Sequence, residues 1–152
     1  LSVRLNRGSD DAIKAGLPVV TPAGVVGQVV GTASASADVM LISDPSSRVG
    51  VTIARSRVRA SAVGAGDGKA LSLENAGRGD DVINQDLVIT SGTDGVFPAG
   101  LVIGRVEDVK KAPTGMFLSA TVVPAVPLGR VEEVLVIPVS APPAAQVSPR
   151  PR

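Results

Sequence analysis

The sequence contains no cysteine, histidine, tryptophan or tyrosine, and its only aromatic residues are Phe97 and Phe117. Without Cys and His, the chain cannot form thiol nucleophiles, disulfides or histidine-based triads, and it lacks the two commonest zinc ligands. Two phenylalanines cannot build the aromatic platforms on which nucleic-acid bases stack. A net charge of +1 gives no field that would attract nucleic acid or an anionic membrane. We therefore expect no cofactor, no metal and no nucleic-acid partner.

Long apolar runs are also missing from the sequence. No stretch approaches the roughly 20 apolar residues that a helix needs to span a bilayer, and no secretory signal pattern is present. The first residues, LSVRL, are typical of a strand and include no initiating Met. We interpret the chain as a soluble fragment of a longer protein.

The residues that are present favour β structure. Hydrophobic residues make up 44% of the chain and are mostly Val, Ala, Leu and Ile. Side chains branched at Cβ suit a pleated surface. Short apolar runs alternate with turn signals such as TPAG and SDPSS, and helical periodicity is nearly absent. This pattern predicts an all-β sandwich or barrel, and closure into a barrel would remove exposed strand edges.

Two segments of the chain resemble each other. Residues 13–30 read IKAGLPVVTPAGVVGQVV, and residues 83–109 read INQDLVITSGTDGVFPAGLVIGRVEDV. Aligning Ile13 with Ile83 places Leu17 on Leu87, and the two Ala-Gly pairs meet after a longer turn in the second copy. Glycines inside a strand, such as Gly27 and Gly104, often mark a bulge or a barrel corner. The repeat predicts two small six-stranded-type β-barrels packed side by side.

The repeat also suggests a division of the chain. We expect residues 16–66 to form the first barrel and residues 67–139 to form the second. Residues 1–15 are expected to pair with the second barrel. Residues 140–152, which read SAPPAAQVSPRPR, form a Pro/Ala-rich tail.

The glycine-rich stretch TSGTDGVFPAG, residues 90–100, could hold a phosphate, position a nucleophile or turn a strand. Phosphate loops need a helix N-terminus behind the glycines, and here a strand pattern follows. Ser91 and Ser43 lie at predicted strand ends, but neither a GxSxG motif nor a histidine base accompanies them. A turn with Phe97 in the core is the favoured interpretation. A degenerate two-barrel serine hydrolase remains the alternative.

Two charged groups stand out. Asp80, Asp81 and Asp86 lack the alternating ligand spacing of a calcium loop, so they predict a solvated turn. On a strand, the spacing of Arg55, Arg57 and Arg59 would place three guanidiniums on one face. That face could protect an edge strand or contact an acidic partner. The polar features that a barrel core needs least are our predicted partner-binding residues: Arg55, Arg57, Arg59, Ser43, Asp44, Pro45, Ser46 and Arg48.

The order of motifs along the chain resembles the periplasmic region of the bacterial rod-shape-determining MreC family. The resemblance runs from NRGSDDAIKAGL through DVMLISDPSS to VEEVLVI. Its most specific part is a TSG, DG, FP, GL and GxV pattern, carried here by Thr90, Ser91, Gly92, Asp94, Gly95, Phe97, Pro98, Gly100, Leu101, Gly104 and Val106. One departure is Gln85, where the family usually has Gly.

The resemblance implies two chymotrypsin-like barrels without catalytic residues, in a periplasmic protein that a missing N-terminal helix anchors to the inner membrane. It implies a scaffold of the cell-wall elongation machinery that binds the penicillin-binding transpeptidase. It further implies self-association into a homo-oligomer or filament, and contacts with MreD and MreB through the missing membrane part. A purely structural, polymer-forming protein is a second alternative.

Overall fold

The computed structural model describes residues 2–5, 8, 13–66, 70–111, 115–128 and 134–137. In these ranges the chain forms β-strands and contains no α-helix, so the predicted all-β class is confirmed. No helix there is long and apolar enough to cross a bilayer. The strands are β1 (Ser2–Leu5), β2 (Pro18–Thr21), β3 (Gly24–Thr32), β4 (Ala37–Leu41), β5 (Arg48–Ile53), β6 (Arg59–Gly64), β7 (Leu71–Glu74), β8 (Leu87–Thr90), β9 (Val102–Lys111), β10 (Leu118–Pro124) and β11 (Leu135–Val136).

Six consecutive strands close into a barrel, in the order β10-β7-β6-β5-β8-β9. All neighbouring pairs are antiparallel. Successive side chains of a strand point to opposite faces, so Val51 and Ile53 of β5 are fully buried inside, as are Leu71 and Leu73 of β7. Small and branched side chains suit this narrow interior, because little space separates the facing strands.

The remaining strands form a five-stranded sheet in the order β1-β4-β3-β2-β11. Its outer strands, β1 and β11, come from opposite ends of the described chain. Strand β3 lies against β9 of the barrel. At this contact, a Cβ on Gly24 would lie 2.6 Å from the carbonyl oxygen of Val102, so only glycine fits there. The buried apolar residues of sheet and barrel belong to one hydrophobic cluster.

The strand pairing corrects the division predicted at residues 66 and 67. Strands β5 and β6 cover residues 48–64 and belong to the closed barrel rather than to the preceding sheet. Between residues 67 and 139 the described part of the chain supplies four strands to the barrel, β7 to β10, whereas the closed barrel contains six. Strand β1 pairs with β4, with Val3 opposite Val39, and so joins the sheet and not the barrel. The predicted tail lies outside the described residues.

The internal repeat is present as two strand–turn–strand units, β2–β3 and β8–β9. In the first unit the N–H of Gly16 donates to the carbonyl of Val29 at 2.7 Å, and in the second the N–H of Gln85 donates to that of Val106 at 2.7 Å. Both donors have positive φ, +94° at Gly16 and +75° at Gln85. The same backbone arrangement is therefore built twice, with a longer turn in the second copy, as predicted.

The alignment made from the sequence was one residue out of register. It placed Leu17 on Leu87, whereas the structure makes Leu17 equivalent to Asp86. The N–H groups of Val29 and Val106 donate to the carbonyls of Leu17 and Asp86, each at 2.9 Å. The error arose because the sequence alignment matched one leucine with another. In the structure, the apolar Leu17 of one unit is replaced by the carboxylate of Asp86 in the other.

The in-strand glycines have the role that their positions predicted. A Cβ on either Gly27 or Gly104 would lie 2.0 Å from a carbonyl oxygen of the adjacent strand, β4 or β10. In both units the pairing register shifts at the residue opposite the glycine, Val19 or Val88. Each glycine therefore marks a β-bulge at which two backbones approach closely.

Candidate functional site

The loop between β8 and β9 is fastened to the barrel by Thr90, the last residue of β8. Its Oγ1 donates to the carbonyl of Pro98 at 2.6 Å and accepts the N–H of Leu101 at 2.9 Å. Phe97 at the tip is 4% exposed and packs in the core, as predicted. The backbone reverses at three glycines with positive φ: Gly92, Gly95 and Gly100.

Asp94 holds the same loop from within. Its Oδ1 accepts the N–H groups of Val96 and Phe97 at 3.0 and 3.3 Å, and its Oδ2 accepts the N–H of Gly50 in β5 at 3.2 Å. Both carboxylate oxygens are thus used to shape the loop and to bind it to the neighbouring strand. The stretch is a structural turn, and its aspartate is not free to act as a base.

Among the described residues, neither candidate nucleophile is hydrogen-bonded to a base. The hydroxyl of Ser91 is hydrogen-bonded to that of Thr93 at 2.7 Å. Ser43 is fully buried, and its hydroxyl forms no hydrogen bond with the described residues. Among those residues, no cluster of three or more acidic side chains could hold a metal ion. The geometry therefore offers no support for hydrolysis at either serine.

Arg55, in the turn after β5, connects two aspartates. Its Nε and Nη2 donate to Oδ1 and Oδ2 of Asp86 at 2.8 and 3.1 Å. Its Nη1 and Nη2 donate to Oδ2 and Oδ1 of Asp81, each at 2.8 Å. These hydrogen bonds lower the pKa of both carboxyl groups and raise the pKa of Arg55. Asp86 is only 5% exposed, so the expected solvated acidic turn is wrong for this residue.

The three arginines do not share one strand face, contrary to the prediction. Arg55 and Arg57 lie in the β5–β6 turn, and only Arg59 belongs to a strand. The turn closes where the N–H of Arg57 donates to the carbonyl of Ile53 at 2.8 Å, and the N–H of Ile53 donates to that of Val58 at 2.8 Å. Arg57 has a φ of +65°, which directs the chain back into β6. An alternating sequence therefore spans a tight turn here.

Two of these arginines line a cleft of about 390 Å³ on the outer face of the barrel. Arg59, Thr52 and Ile89 form a row across β6, β5 and β8, each directly opposite the next. The residues that line the cleft are Thr52, Arg57, Arg59, Ile89, Thr90, Ser91, Ala99 and Gly100. We call this feature the outer-face cleft. It joins part of the predicted arginine surface to the glycine-rich loop.

Sequence reasoning missed Thr52, Ile89 and Ala99 as cleft residues. The available signal was the alternation in β5, where Thr52 stands between two buried apolar residues and so faces outward. Thr52 is 6% exposed and lines the cleft. Neither Arg57 nor Arg59 forms an ion pair with any residue that the structure describes.

The other predicted surface, the turn at residues 43–48, is only partly open to solvent. Ser43 and Ser47 are buried, and Oδ1 of Asp44 accepts the N–H of Ser46 at 2.8 Å. Arg48 forms an exposed ion pair at 3.3 Å with a glutamate of β7. The exposed residues of this turn are Pro45, Ser46 and Arg48.

Comparison with known proteins identifies close likenesses. The family model described as "Rod shape-determining protein MreC, barrel core" matches residues 1–138. The cell shape-determining protein MreC of Haemophilus influenzae is 32% identical over 133 residues, which cover 88% of this chain and 38% of that protein. The crystal structure of MreC from Pseudomonas aeruginosa shares 30% identity with a TM-score of 0.87, and covers 90% of this chain and 88% of its own.

More distant structures share the fold. One is described as a complex between Penicillin-Binding Protein (PBP2) and MreC from Helicobacter pylori; it is 23% identical with a TM-score of 0.58, and the match covers 69% of this chain and 64% of that one. Another is the major periplasmic domain from the cell shape-determining filament MreC; it is 17% identical with a TM-score of 0.68, and the match covers 82% of this chain and 78% of that one.

The family match covers almost the whole sequence and agrees with the order of motifs found in it. The chain spans 38% and 29% of the lengths of the Haemophilus influenzae and Escherichia coli relatives, so it corresponds to one part of such proteins. The barrel, the in-strand glycines and the fastened loop supply the physical basis of the motif that carried the resemblance. The chain belongs to the MreC family of rod shape-determining proteins.

Proposed function

We propose that this protein is a non-catalytic scaffold of bacterial cell-wall elongation, and that it acts in the periplasm by binding the elongation penicillin-binding transpeptidase. The observation that carries the proposal is the outer-face cleft, in which Arg57 and Arg59 form no ion pair with the residues that the structure describes. The Helicobacter pylori complex of PBP2 with MreC supports a transpeptidase as the class of partner. Membership of the MreC family supports the role in rod shape.

A scaffold fits the chemistry of the described residues better than an enzyme does. The hydroxyl of Ser91 is hydrogen-bonded to that of Thr93, and the buried hydroxyl of Ser43 has no hydrogen-bond partner among the described residues. The carboxylate of Asp94 accepts backbone N–H groups that hold the loop. Nucleophilic catalysis needs a base within hydrogen-bond reach of the nucleophile. Labelling of either serine by a fluorophosphonate probe would contradict this part of the proposal.

Other roles belong to the whole protein. We propose that the full-length protein is anchored to the inner membrane and meets MreD and MreB through its membrane part. We also propose self-association into a homo-oligomer or filament, in line with the solved domain that is described as coming from the cell shape-determining filament MreC. Sedimentation velocity across a concentration series tests self-association of this chain.

The proposed binding surface consists of the cleft arginines, Arg57 and Arg59, together with the exposed part of the 43–48 turn. Arg55 has a different place in this proposal. Because it is bonded to two aspartates, it positions the turn that carries Arg57 and is less available to a partner. The cleft is lined by residues near the end of β5 and in the turn that follows it, whereas the 43–48 turn leads into the start of β5.

The test is binding of the 152-residue chain to the immobilised periplasmic domain of the elongation transpeptidase from the same bacterium. We expect saturable binding, and we expect Arg57→Glu with Arg59→Glu to weaken it at least about tenfold, equivalent to about 1.4 kcal/mol. A matched control reverses two exposed lysines at the end of β9, Lys110→Glu with Lys111→Glu, and should change little. The proposal fails if the folded chain shows no binding at about 100 µM, which corresponds to an affinity weaker than about 5.5 kcal/mol.

A further inference from the structure

The outer-face cleft has a specific shape and chemistry. Across it runs the row of Arg59, Thr52 and Ile89 on three neighbouring strands. Directly opposite residues on antiparallel strands have Cβ atoms about 4.5–5.5 Å apart, so these side chains are in reach of a single ligand. The β5–β6 turn adds Arg57, and the β8–β9 loop adds Ala99. Cationic, hydroxyl and apolar groups therefore line one cavity of about 390 Å³.

The positive charge of this cleft is not neutralised by the described part of the chain. Three carboxylates are engaged elsewhere: Asp81 and Asp86 form ion pairs with Arg55, and Asp94 accepts backbone N–H groups of its own loop and of β5. A guanidinium carries five N–H donors in a planar fork that matches a carboxylate. No carboxylate of the described residues pairs with the two cleft arginines, so their donors are open to an external acceptor.

The hydroxyl of Thr52 adds a neutral polar group to the cleft. The residue is 6% exposed and lines the cleft between Arg59 and Ile89. A threonine hydroxyl has one O–H donor and two acceptor lone pairs. It can therefore donate to a carboxylate that the two arginines bind.

The turn that carries Arg57 is held under strain. Its φ of +65° is a left-handed conformation, which is unfavourable for an arginine relative to an extended or helical one. The neighbouring ion pairs from Arg55 to Asp81 and Asp86 fix the same turn. The equivalent position to Asp86 in the other repeat unit is Leu17, so this carboxylate anchor belongs to the barrel alone. The barrel thus maintains an unfavourable turn that directs Arg57 to the cleft.

The nature of the ligand follows from which donors are absent. Phosphate sites use several converging backbone N–H groups. Here the N–H of Ser91 donates to the carbonyl of Gly50, and that of Gly100 donates to the carbonyl of Thr90, each at 2.9 Å. The loop therefore offers no such nest. Arginine forks beside the apolar side chains of Ile89 and Ala99 suit a carboxylate on an aliphatic stem.

We infer that the outer-face cleft is a binding site for an acidic peptide segment of a partner protein. Arg57 and Arg59 form ion pairs with the carboxylates of the peptide, and the hydroxyl of Thr52 forms a hydrogen bond with it. The inference rests on the proposed scaffold function and names the chemistry that the partner presents. The apolar wall contacts the Cβ and Cγ atoms of the Asp or Glu residues. Free phosphate would form contacts with the arginines alone and none with the apolar wall.

The test uses a fluorescein-labelled peptide of alternating Glu and Ala, its Gln/Ala counterpart, and the 152-residue chain. Fluorescence anisotropy should show saturable binding of the Glu peptide, at least about tenfold tighter than that of the Gln peptide. The double variant Arg57→Gln and Arg59→Gln should abolish this preference, while Lys110→Gln with Lys111→Gln should retain it. Circular dichroism melting confirms that each variant is folded, and Thr52→Val, which keeps the side-chain shape, should weaken the Glu peptide more than the Gln peptide.

The inference is overturned if both peptides bind equally, or if the arginine and lysine variants have equal effects. It is also overturned if inorganic phosphate displaces the Glu peptide completely at concentrations comparable to those at which free acetate displaces it. A competition experiment separates this inference from the scaffold function. If the transpeptidase binds and the Glu peptide neither competes nor binds, the inference fails and the proposed function stands. If the Glu peptide binds with the expected preference and the transpeptidase does not, the proposed partner fails and the site stands.

Discussion

Arg55 and Asp86 are joined by a two-pronged ion pair that ties the turn after β5 to the segment entering β8. The Nε–Oδ1 and Nη2–Oδ2 distances are 2.8 and 3.1 Å. The Oδ2 of Asp86 also accepts the N–H of Ile83 at 2.9 Å. A nearly buried carboxylate is thus satisfied by three donors at a position where the other repeat unit has a leucine.

Replacing Asp86 by Ala should lower the free energy of unfolding by about 1.5–3 kcal/mol, the usual range for hydrogen bonds to a charged group. The change removes the buried acceptor and leaves the Arg55 guanidinium bonded to Asp81 alone. Urea titration followed by circular dichroism measures the loss. Asp81→Ala is the matched control and should have a smaller effect, because that side chain is 62% exposed. Equal losses in the two variants would contradict the importance of the buried pair.

The same pair predicts a dependence of stability on pH. Hydrogen bonds from Arg55 lower the pKa of Asp86 and of Asp81 below the ordinary value of 3.8. A carboxyl group with a lowered folded-state pKa contributes stability above its unfolded pKa, and that contribution is lost as the pH falls through the folded-state value. Unfolding free energies measured between pH 7 and pH 2 should therefore decrease below about pH 4. The decrease should be smaller in Arg55→Gln, and an unchanged profile in that variant would refute the linkage.

Gln85 and Gly16 occupy equivalent positions in the two repeat units. Replacing Gln85 by Gly and replacing Gly16 by Gln should therefore have opposite effects on stability. Gln85 has a φ of +75°, which costs a non-glycine residue about 1–2 kcal/mol, whereas glycine adopts it freely. Allowing for the flexibility that glycine adds to the unfolded chain, Gln85→Gly should raise the free energy of unfolding by about 0.5–1 kcal/mol. Gly16→Gln should lower it by about 1 kcal/mol, because no side chain blocks the site and only the backbone resists. Thermal denaturation of both variants provides the measurement, and shifts of the same sign would disprove the equivalence.

The two phenylalanines form a natural matched pair. Phe97 is 4% exposed in the core, and Phe117 is 55% exposed beside β10. Truncation of a buried phenylalanine to alanine costs about 3–5 kcal/mol through lost burial and the cavity left behind. Phe97→Ala should therefore lower the midpoint of urea unfolding strongly, and Phe117→Ala should leave it nearly unchanged. Comparable destabilisation by both would show that the loop tip is not part of the core.

Features that depend on local pattern could be predicted from the sequence. The all-β class follows from short apolar runs rich in branched residues, and the bulges follow from glycines inside those runs. The repeat was visible because the in-strand glycines and the Ala-Gly turns recur. Even the departure at Gln85 pointed to a position that needs positive φ, since the resemblance placed a glycine there.

Features that depend on contacts distant in sequence could not be predicted in this way. The pairing of β5 with β8 joins residues almost forty positions apart, so the boundary near residue 66 had no local signal. Arg55 alternates with Arg57 and Arg59 as it would on a strand, and nothing nearby in sequence reveals its aspartates. The Leu17 to Asp86 exchange concealed the true register of the repeat, and with it the anchor of the turn.

The chain order of the strands also has a kinetic consequence. The barrel consists of six strands that follow one another, whereas the sheet takes β1 to β4 from before them and β11 from after them. During synthesis on the ribosome, every barrel strand emerges before the last strand of the sheet does. We therefore expect the barrel to be able to close first, while the edge next to β2 stays without its partner until Leu135 and Val136 arrive. In a nascent chain, that interval is when the sheet is most open to pairing with another molecule.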